Sequence, residues 1–533
     1  MKNYFIRAGQ SPFDSLSYGE VIRRNTLGGN SGNLLYAQSV FRTLMTDEKM
    51  KMMPNFYHYR PFSPRVISEK FDAFVVPLAD AFRADFAEMD LLTEFIEKLT
   101  IPTIIIGVGL RAPFDYTPGM KFSFDKQVAR LVRAVLKNSS MIGVRGAITA
   151  EYLSGLGFKE GEDHRVIGCP SMYTFGRELN IKDPISSYDN TVCVNATATS
   201  NLTITNDFIF REAKKFNDYY FLPQLNNEYQ LAYAGISYTH KKCGYYPDSL
   251  DSAEYSEDRV RIFKNAHAWS EFTKNMDFAF GGRLHGNIGA LLGGTPGLLF
   301  TKDARTRELA DFHKLPSLPE TEIDENASIL DLIEKADYST YKRVHPANFD
   351  NYIDFLEING LEHIYQDKFN HEKAPFDKVI DEKYQEDQEL LAIACNGAIL
   401  PDRMERVVET SMTSAKNKAL VAQKALSKQN ILSEKEQLVA KKVVELQQAV
   451  NEDAASFKKI KHDLQKAHGV QDSEQKQIVE LGKLARRQLN NKKKILSEYS
   501  KVTDPLRKIY RVMNIVPLIK SAVQTYRYGK MHS

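Results

Sequence analysis

The chain of 533 residues is poor in cysteine: Cys169, Cys193, Cys243 and Cys395 stand far apart, and none belongs to a C-x-x-C pair. That scarcity excludes a disulfide-stapled scaffold and leads us to expect a reduced, cytoplasmic setting. No HxxE, HxH or CxxC cluster occurs either, so neither a metal nor a cofactor is expected. Long apolar runs are missing too, with no window of roughly 18 apolar residues anywhere. The opening MKNYFIRAGQSPFDS has neither the apolar core nor the cleavage site of a secretory leader. We therefore expect no leader and no membrane-spanning helix. One further absence is local: Asp402 to His468 is 67 residues without a glycine or proline.

What is present is enough apolar material for a large core, 43% of residues, in a chain too long for one ordinary domain. Through the first two thirds, buried-strand and amphipathic-helix patterns alternate. FDAFVVPL (71–78) reads as a strand, MDLLTEFIEKL (89–99) as a helix, and PTIIIGVGL (102–110) as a strand. Residues 124–137 form an amphipathic helix and MIGVRG (141–146) a further strand. A second set runs from TVCVNAT (191–197) through a helix over 206–217, a strand at 219–224 and a helix over 259–276. This is the rhythm of parallel α/β sheets. The polar stretch 176–190 divides the two sets, giving lobes 1–180 and 181–345, then a helical segment 346–400.

Three places carry chemistry. Asp277–Phe300 reads as strand, Gly281-Gly282 turn, Arg283-Leu284-His285 at a helix start, and a strand from Gly297. A helix N-terminus beyond a strand's carboxyl end favours an anion. Arg145 ends the strand 141–146 in the same relation to the following helix. Gly28-Gly29-Asn30-Ser31-Gly32-Asn33 is a glycine-rich turn into a helix, able to hold an anion or a sugar hydroxyl, or to serve as a simple tight turn. Asp303, Arg305 and Arg307 follow the last of these strands, and Asn195 and Gln224 lie on second-set strands.

GGRLHGNIGALLGGTPGLLF (281–300), MIGVRGAITAEYLSGLG (141–157), VIGCPSMYTF (166–175) and the Gly-Asn-Leu-Leu turn at 32–35 together resemble the polysaccharide pyruvyl transferase family, over about residues 15–320. The resemblance implies α/β architecture with two Rossmann-like lobes similar to the GT-B glycosyltransferase fold. It also implies transfer of the enolpyruvyl unit of phosphoenolpyruvate to a glycan or lipid-linked sugar as a pyruvate ketal. His285, Arg283 and Arg145 match functional positions and are the catalytic candidates. Gly32, Asn33, Gly282, Leu284, Asn287 and Arg305 are the substrate-binding candidates around them. Gly146 and Asn33 stand where many members carry Asp. The arginines suit a donor bearing phosphate and carboxylate, and a histidine can accept or donate a proton near neutral pH. A nucleotide-sugar glycosyltransferase, or a scaffold with a degenerate enzyme domain, uses the same features differently.

The rest of the chain is of another kind. The glycine- and proline-free stretch would span on the order of 100 Å as a helix, within a long helix or coiled coil over 402–500. Apolar residues at 3-4 spacing (Val443, Leu446, Val450, Phe457, Ile460, Leu464) predict a coiled coil over 436–468 and a homo-oligomer. From Lys483 onward there are thirteen Lys or Arg against Glu498 and Asp504, a charge of +11, so residues 1–482 carry −8 of the total +3. Basic and apolar residues interleave in the tail 501–533, which predicts peripheral contact with an anionic membrane at its cytoplasmic face, or else a protein partner, rather than nucleic-acid binding.

Overall fold

The computed structural model describes residues 2–198, 203–235, 244–384 and 391–392. Two parallel sheets organise them, and the chain is α/β as the alternation predicts. The first has strands β1 (Tyr4–Ile6), β2 (Met52–Pro54), β3 (Ala73–Pro77) and β4 (Thr103–Ile106) in the order β2-β1-β3-β4, all parallel. Strands β5 (Ile142–Val144) and β6 (His164–Val166) pair with each other, and a Val108–Val144 bridge joins them to the chain just past β4. Successive residues of these strands serve opposite faces. Tyr4, Ile6, Val75, Ile104 and Ile106 enter one apolar cluster. Phe5, Phe74, Val76 and Ile105 enter the other. A sheet covered on both faces by helices requires such uninterrupted apolar strands.

The second sheet contains β7 (Thr191–Asn195), β8 (Asp218–Phe221), β10 (Phe278–Gly281), β11 (Gly297–Thr301) and β12 (Ser317–Pro319) in the order β12-β11-β10-β7-β8. Between β8 and β10 in sequence, β9 (Arg261–Ile262) is short and follows a Phe221–Val260 bridge. Here the structure corrects the single helix expected over 259–276. Asn265 takes extended geometry and its side chain accepts from Ala268 N at 2.7 Å, so a capped helix begins only at Ala266.

The helices that bear on the site are α1 (Gly32–Leu44), α2 (Ala147–Gly155), α3 (Ala266–Lys274), α4 (Leu284–Leu292), α5 (Ala304–His313), α6 (Thr340–Ile358) and α7 (Pro375–Tyr384). Of these, α7 and most of α6 fall in the stretch 346–400 read as helical, α6 starting six residues before it. Residues 402–500, with the expected coiled coil, and the tail 501–533 lie outside the described residues. Among the described residues no helix is long and apolar enough to cross a membrane.

Candidate functional site

The second sheet reverses its winding between β7 and β10, and open α/β sheets leave a crevice beyond the strand ends at such a point. Arg283 stands there, as the N-cap of α4. Its backbone N donates to Asn195 Oδ1 at 2.7 Å and Gly282 N donates to Asn195 O at 3.2 Å, so the side chain ending β7 fixes the turn after β10. The guanidinium Nε donates to Ala196 O at 3.0 Å, Nη2 lies 3.7 Å from Glu228 Oε1, and Nη2 has no hydrogen-bond partner. Glu228 is itself held by the backbone N–H groups of Gln224 and Leu225, each donating at 2.7 Å. Lys302 is nearby, its ammonium pushed down to about 8 by burial and then by Arg283.

Arg145, beyond β5, is 1% exposed, and its Nε donates to Gly107 O at 2.8 Å. Its Nη2 is buried without a partner. The guanidinium lies over the Tyr36 ring, 5.4 Å from the centroid, and the Tyr36 hydroxyl reaches the same Gly107 carbonyl at 2.9 Å. Edge-on to Tyr36 is His285, with ring centroids 6.1 Å apart. One aromatic side chain therefore has the cation and the imidazole as neighbours.

His285 is buried at the first turn of α4, its Nε2 3.7 Å from Cys169 Sγ. A Cβ on Gly32 would come within 2.7 Å of the imidazole, so the glycine turn is where α1 closes on His285. Burial first, then the positive charges of Arg145 and Arg305, holds His285 down to about 3, leaving it neutral at physiological pH. His313, its Nε2 accepting from Cys169 N at 2.9 Å, is likewise pushed to about 3, by burial and then by His345 and Arg145.

Arg305 reaches the chain just past β3, its Nη1 donating to Asp80 at 2.9 Å and its Nη2 to Asp303 at 3.3 Å. Burial works to raise Asp80, but Arg305, Arg83 and Arg111 together hold it well below the ordinary carboxylate range. The other candidates hold backbone. Asn33 Nδ2 donates to Leu27 O at 2.8 Å, Asn287 Nδ2 donates to Gly281 O and Arg283 O at 3.1 Å each, and Leu284 packs in an apolar cluster. The structure thus brings Arg145, His285 and Gly32 together, sets Arg283 beside Asn195 and Glu228, and ties Arg305 to Asp80.

Two residues of the site were not picked out from the sequence. Tyr36 is four residues after Gly32, hence on the same face of α1, and that spacing was the available signal. Glu308, on α5, is 2% exposed and accepts from Thr149 N at 2.9 Å and Thr149 Oγ1 at 2.8 Å, satisfying the first turn of α2 from outside. Burial raises it to about 7, with the Thr149 bonds and Arg145 opposing. A Cβ on Gly146 would lie 2.7 Å from Glu308 Cβ, so the absence of a side chain at 146 is what admits this carboxyl beside Arg145. Nothing in the sequence pointed to it. Among the described residues no group of three or more His, Cys, Asp or Glu is placed to hold a metal ion.

Arg145, Arg283 and His285 all fall within one stretch that is similar to a known family. Residues 53–303 match the polysaccharide pyruvyl transferase family. Gly32 and Asn33 precede that match and Arg305 follows it. The family is one of transferases and implies a sugar or polysaccharide acceptor. No curated protein matches the chain. Solved structures similar to it include a functionally uncharacterized protein of Klebsiella pneumoniae (13% identity, 58% of this chain and 88% of that one, TM-score 0.32). Two UDP-GlcNAc 2-epimerases are also similar. One, from Neisseria meningitidis, was solved bound to UDP-GlcNAc (10% identity, 72% and 99%, TM-score 0.33). The other is from Methanocaldococcus jannaschii (12% identity, 72% and 100%, TM-score 0.31).

Proposed function

We propose that the chain is a pyruvyl transferase that moves the enolpyruvyl unit of phosphoenolpyruvate onto two hydroxyls of a sugar, forming a pyruvate ketal. The observation that carries the reading is the pair about Tyr36: a buried Arg145 with an unpaired Nη2 and a buried neutral His285. A donor bearing phosphate and carboxylate needs fixed cations. Arg145 supplies one and Arg283, with its own unpaired Nη2, the other. A neutral imidazole has a lone pair free to accept a proton, and a bound donor anion, by answering the arginine charge that holds His285 low, raises its basicity so that it takes the proton of the attacking sugar hydroxyl. The balance is simple. Two C–O bonds form at the enol carbon and the C–O bond to phosphate breaks. One hydroxyl proton ends on the methylene carbon, which becomes methyl, and the other leaves with phosphate.

The test incubates the full chain with phosphoenolpyruvate and an oligosaccharide acceptor. Acceptor-dependent phosphate release, lost in Arg145→Ala and His285→Ala, is expected. Release of nucleotide from a nucleotide sugar instead would make the chain a glycosyltransferase, and sugar binding without any turnover would make it a scaffold. The +11 charge of residues 483–533 supports a peripheral position on an anionic membrane, and the 3-4 apolar spacing supports self-association through 436–468. Deleting residues 483–533 is expected to release the protein from anionic liposomes and leave turnover on a soluble acceptor intact.

A further inference from the structure

A cavity of about 300 Å³ lies at the opposite end of α4 from His285, where the helix stops at Gly293. His285 and Gly293 are eight residues apart, roughly 12 Å along the axis at about 1.5 Å per residue. The cavity is bounded by α1, α3, the end of α4, α7 and the chain at Phe175 and Asn180. Two polar side chains that face it are more than nine-tenths buried. Ser270 Oγ has no hydrogen-bond partner, and the Gln38 amide, 5% exposed, makes no hydrogen bond among the described residues. Phe175 stands at the same space with half of its surface exposed, the Arg42 guanidinium lying over its ring 5.3 Å from the centroid.

The charges narrow what fits. Glu271, Asp377 and Asp381 line the cavity, and Lys274 is the one Lys or Arg among the lining residues, 3.8 Å from Glu271. Arg42 pairs with Asp377 at 2.7 Å, so among the lining carboxylates Asp381 alone lacks a cationic partner among the described residues, and no lining Lys or Arg is left free to receive a phosphate or carboxylate, so this is not a second donor site. A metal ion is disfavoured because these carboxylates do not converge on one point. A neutral ligand rich in hydroxyls meets every condition. Each hydroxyl donates to a carboxylate and accepts from the Gln38 amide, while the C–H face of a pyranose packs on the Phe175 ring.

We propose that this cavity is a saccharide-binding site for an uncharged mono- or disaccharide unit, separate from the Arg145–His285 centre. It anchors a glycan chain at one end of α4 while another of its residues reacts at the other end. The binding claim does not depend on phosphoenolpyruvate being the donor.

The test uses the full-length protein without donor and follows binding of methyl glucoside, methyl galactoside, methyl N-acetylglucosaminide and lactose by saturation-transfer NMR and calorimetry. At least one should bind, and Phe175→Ala and Asp381→Asn, both at solvent-facing positions, should each weaken it about fivefold to tenfold, the loss of one modest contact. His285→Ala should leave binding unchanged, and phosphoenolpyruvate should not compete. Binding of none of the four, binding indifferent to Phe175→Ala and Asp381→Asn, or displacement by phosphoenolpyruvate overturns the proposal. If glycoside binding behaves as expected while phosphoenolpyruvate gives no turnover, the proposed reaction fails and the saccharide site stands.

Discussion

Arg145 and Arg283 occupy equivalent places, each just beyond a buried parallel strand and just before a helix, yet their surroundings differ. Arg283 sits 3.7 Å from a Glu228 that two backbone N–H groups hold in place, so much of its charge is already answered. The carboxyl beside Arg145 belongs to Glu308, which burial keeps near 7 and therefore partly protonated at neutral pH. Arg145 also shares Tyr36 with His285, which Arg283 does not. The same local motif yields an arginine with unanswered charge beyond β5 and a partly neutralised one beyond β10. What a strand–Arg–helix motif does depends on its carboxylate neighbour.

The comparison breaks most sharply on kinetics. Arg145→Ala should lower kcat/KM for phosphoenolpyruvate about 10³-fold, the scale of losing a preorganised charge at the reacting group. Lys should rescue little, because one ammonium cannot both hold Gly107 O and fork toward an anion. His285→Gln should cost about 10²-fold or more. In the free protein the His285 imidazole, followed by NMR, should show no titration near the ordinary value of 6.5, because burial and two arginines hold it at about 3. Arg283→Ala should cost only about tenfold, chiefly in KM, since its charge is partly neutralised beforehand. Equal losses at 145 and 283 would remove the asymmetry.

The sequence made the α/β alternation legible because each central strand is an uninterrupted apolar run, as Phe278-Ala279-Phe280 shows. It also revealed the Arg283-Leu284-His285 turn, whose glycines and helix start are local features. It did not reveal which arginine keeps company with His285. That is decided by Tyr36 and Glu308, whose contacts cross between elements far apart in sequence. Asn33 and Asn287 look like ligand-binding amides in one dimension. In three, their Nδ2 groups bond the backbone carbonyls of Leu27, Gly281 and Arg283, because a buried turn needs those oxygens satisfied, while Asn287 Oδ1 is buried without a hydrogen-bond partner.

Stability against pH sharpens the same contrast. Glu308 is raised from 4.5 to about 7 in the folded chain, so the stability it allows is fully present below pH 4.5 and is lost as pH rises through 7. The loss is at most about 3 kcal/mol. Glu308→Gln keeps both contacts to Thr149 within reach and should remove this slope, giving a Tm that gains on the wild type between pH 5 and 8. The buried histidines act in the other direction. His285 and His313 are lowered from 6.5 to about 3, so the unfolded chain takes up protons first and stability falls as pH drops below 6.5. His313→Asn should flatten that acid limb, as followed by thermal melts across pH 4–7.

The smallest expected effect is at Gly146, and it tests whether Glu308 occupies that space for a reason. A Cβ there would press on Glu308 Cβ at 2.7 Å, so Gly146→Ala should cost about 1–2 kcal/mol by overpacking and displace the carboxyl from Arg145. Glu308→Ala keeps that Cβ but removes the Cγ and Oε2 that a Cβ at 146 would meet at 2.9 Å, so combining the two relieves part of the strain, and the pair should be less destabilised than the two single changes add up to, because the residues touch. Gly146→Asp with Glu308→Ala then moves the carboxylate from α5 to the residue after Arg145. If position beside Arg145 is what matters, this double variant should recover turnover lost in Glu308→Ala alone. If α5 must supply the carboxyl in order to cap α2 through Thr149, stability and turnover will stay low together.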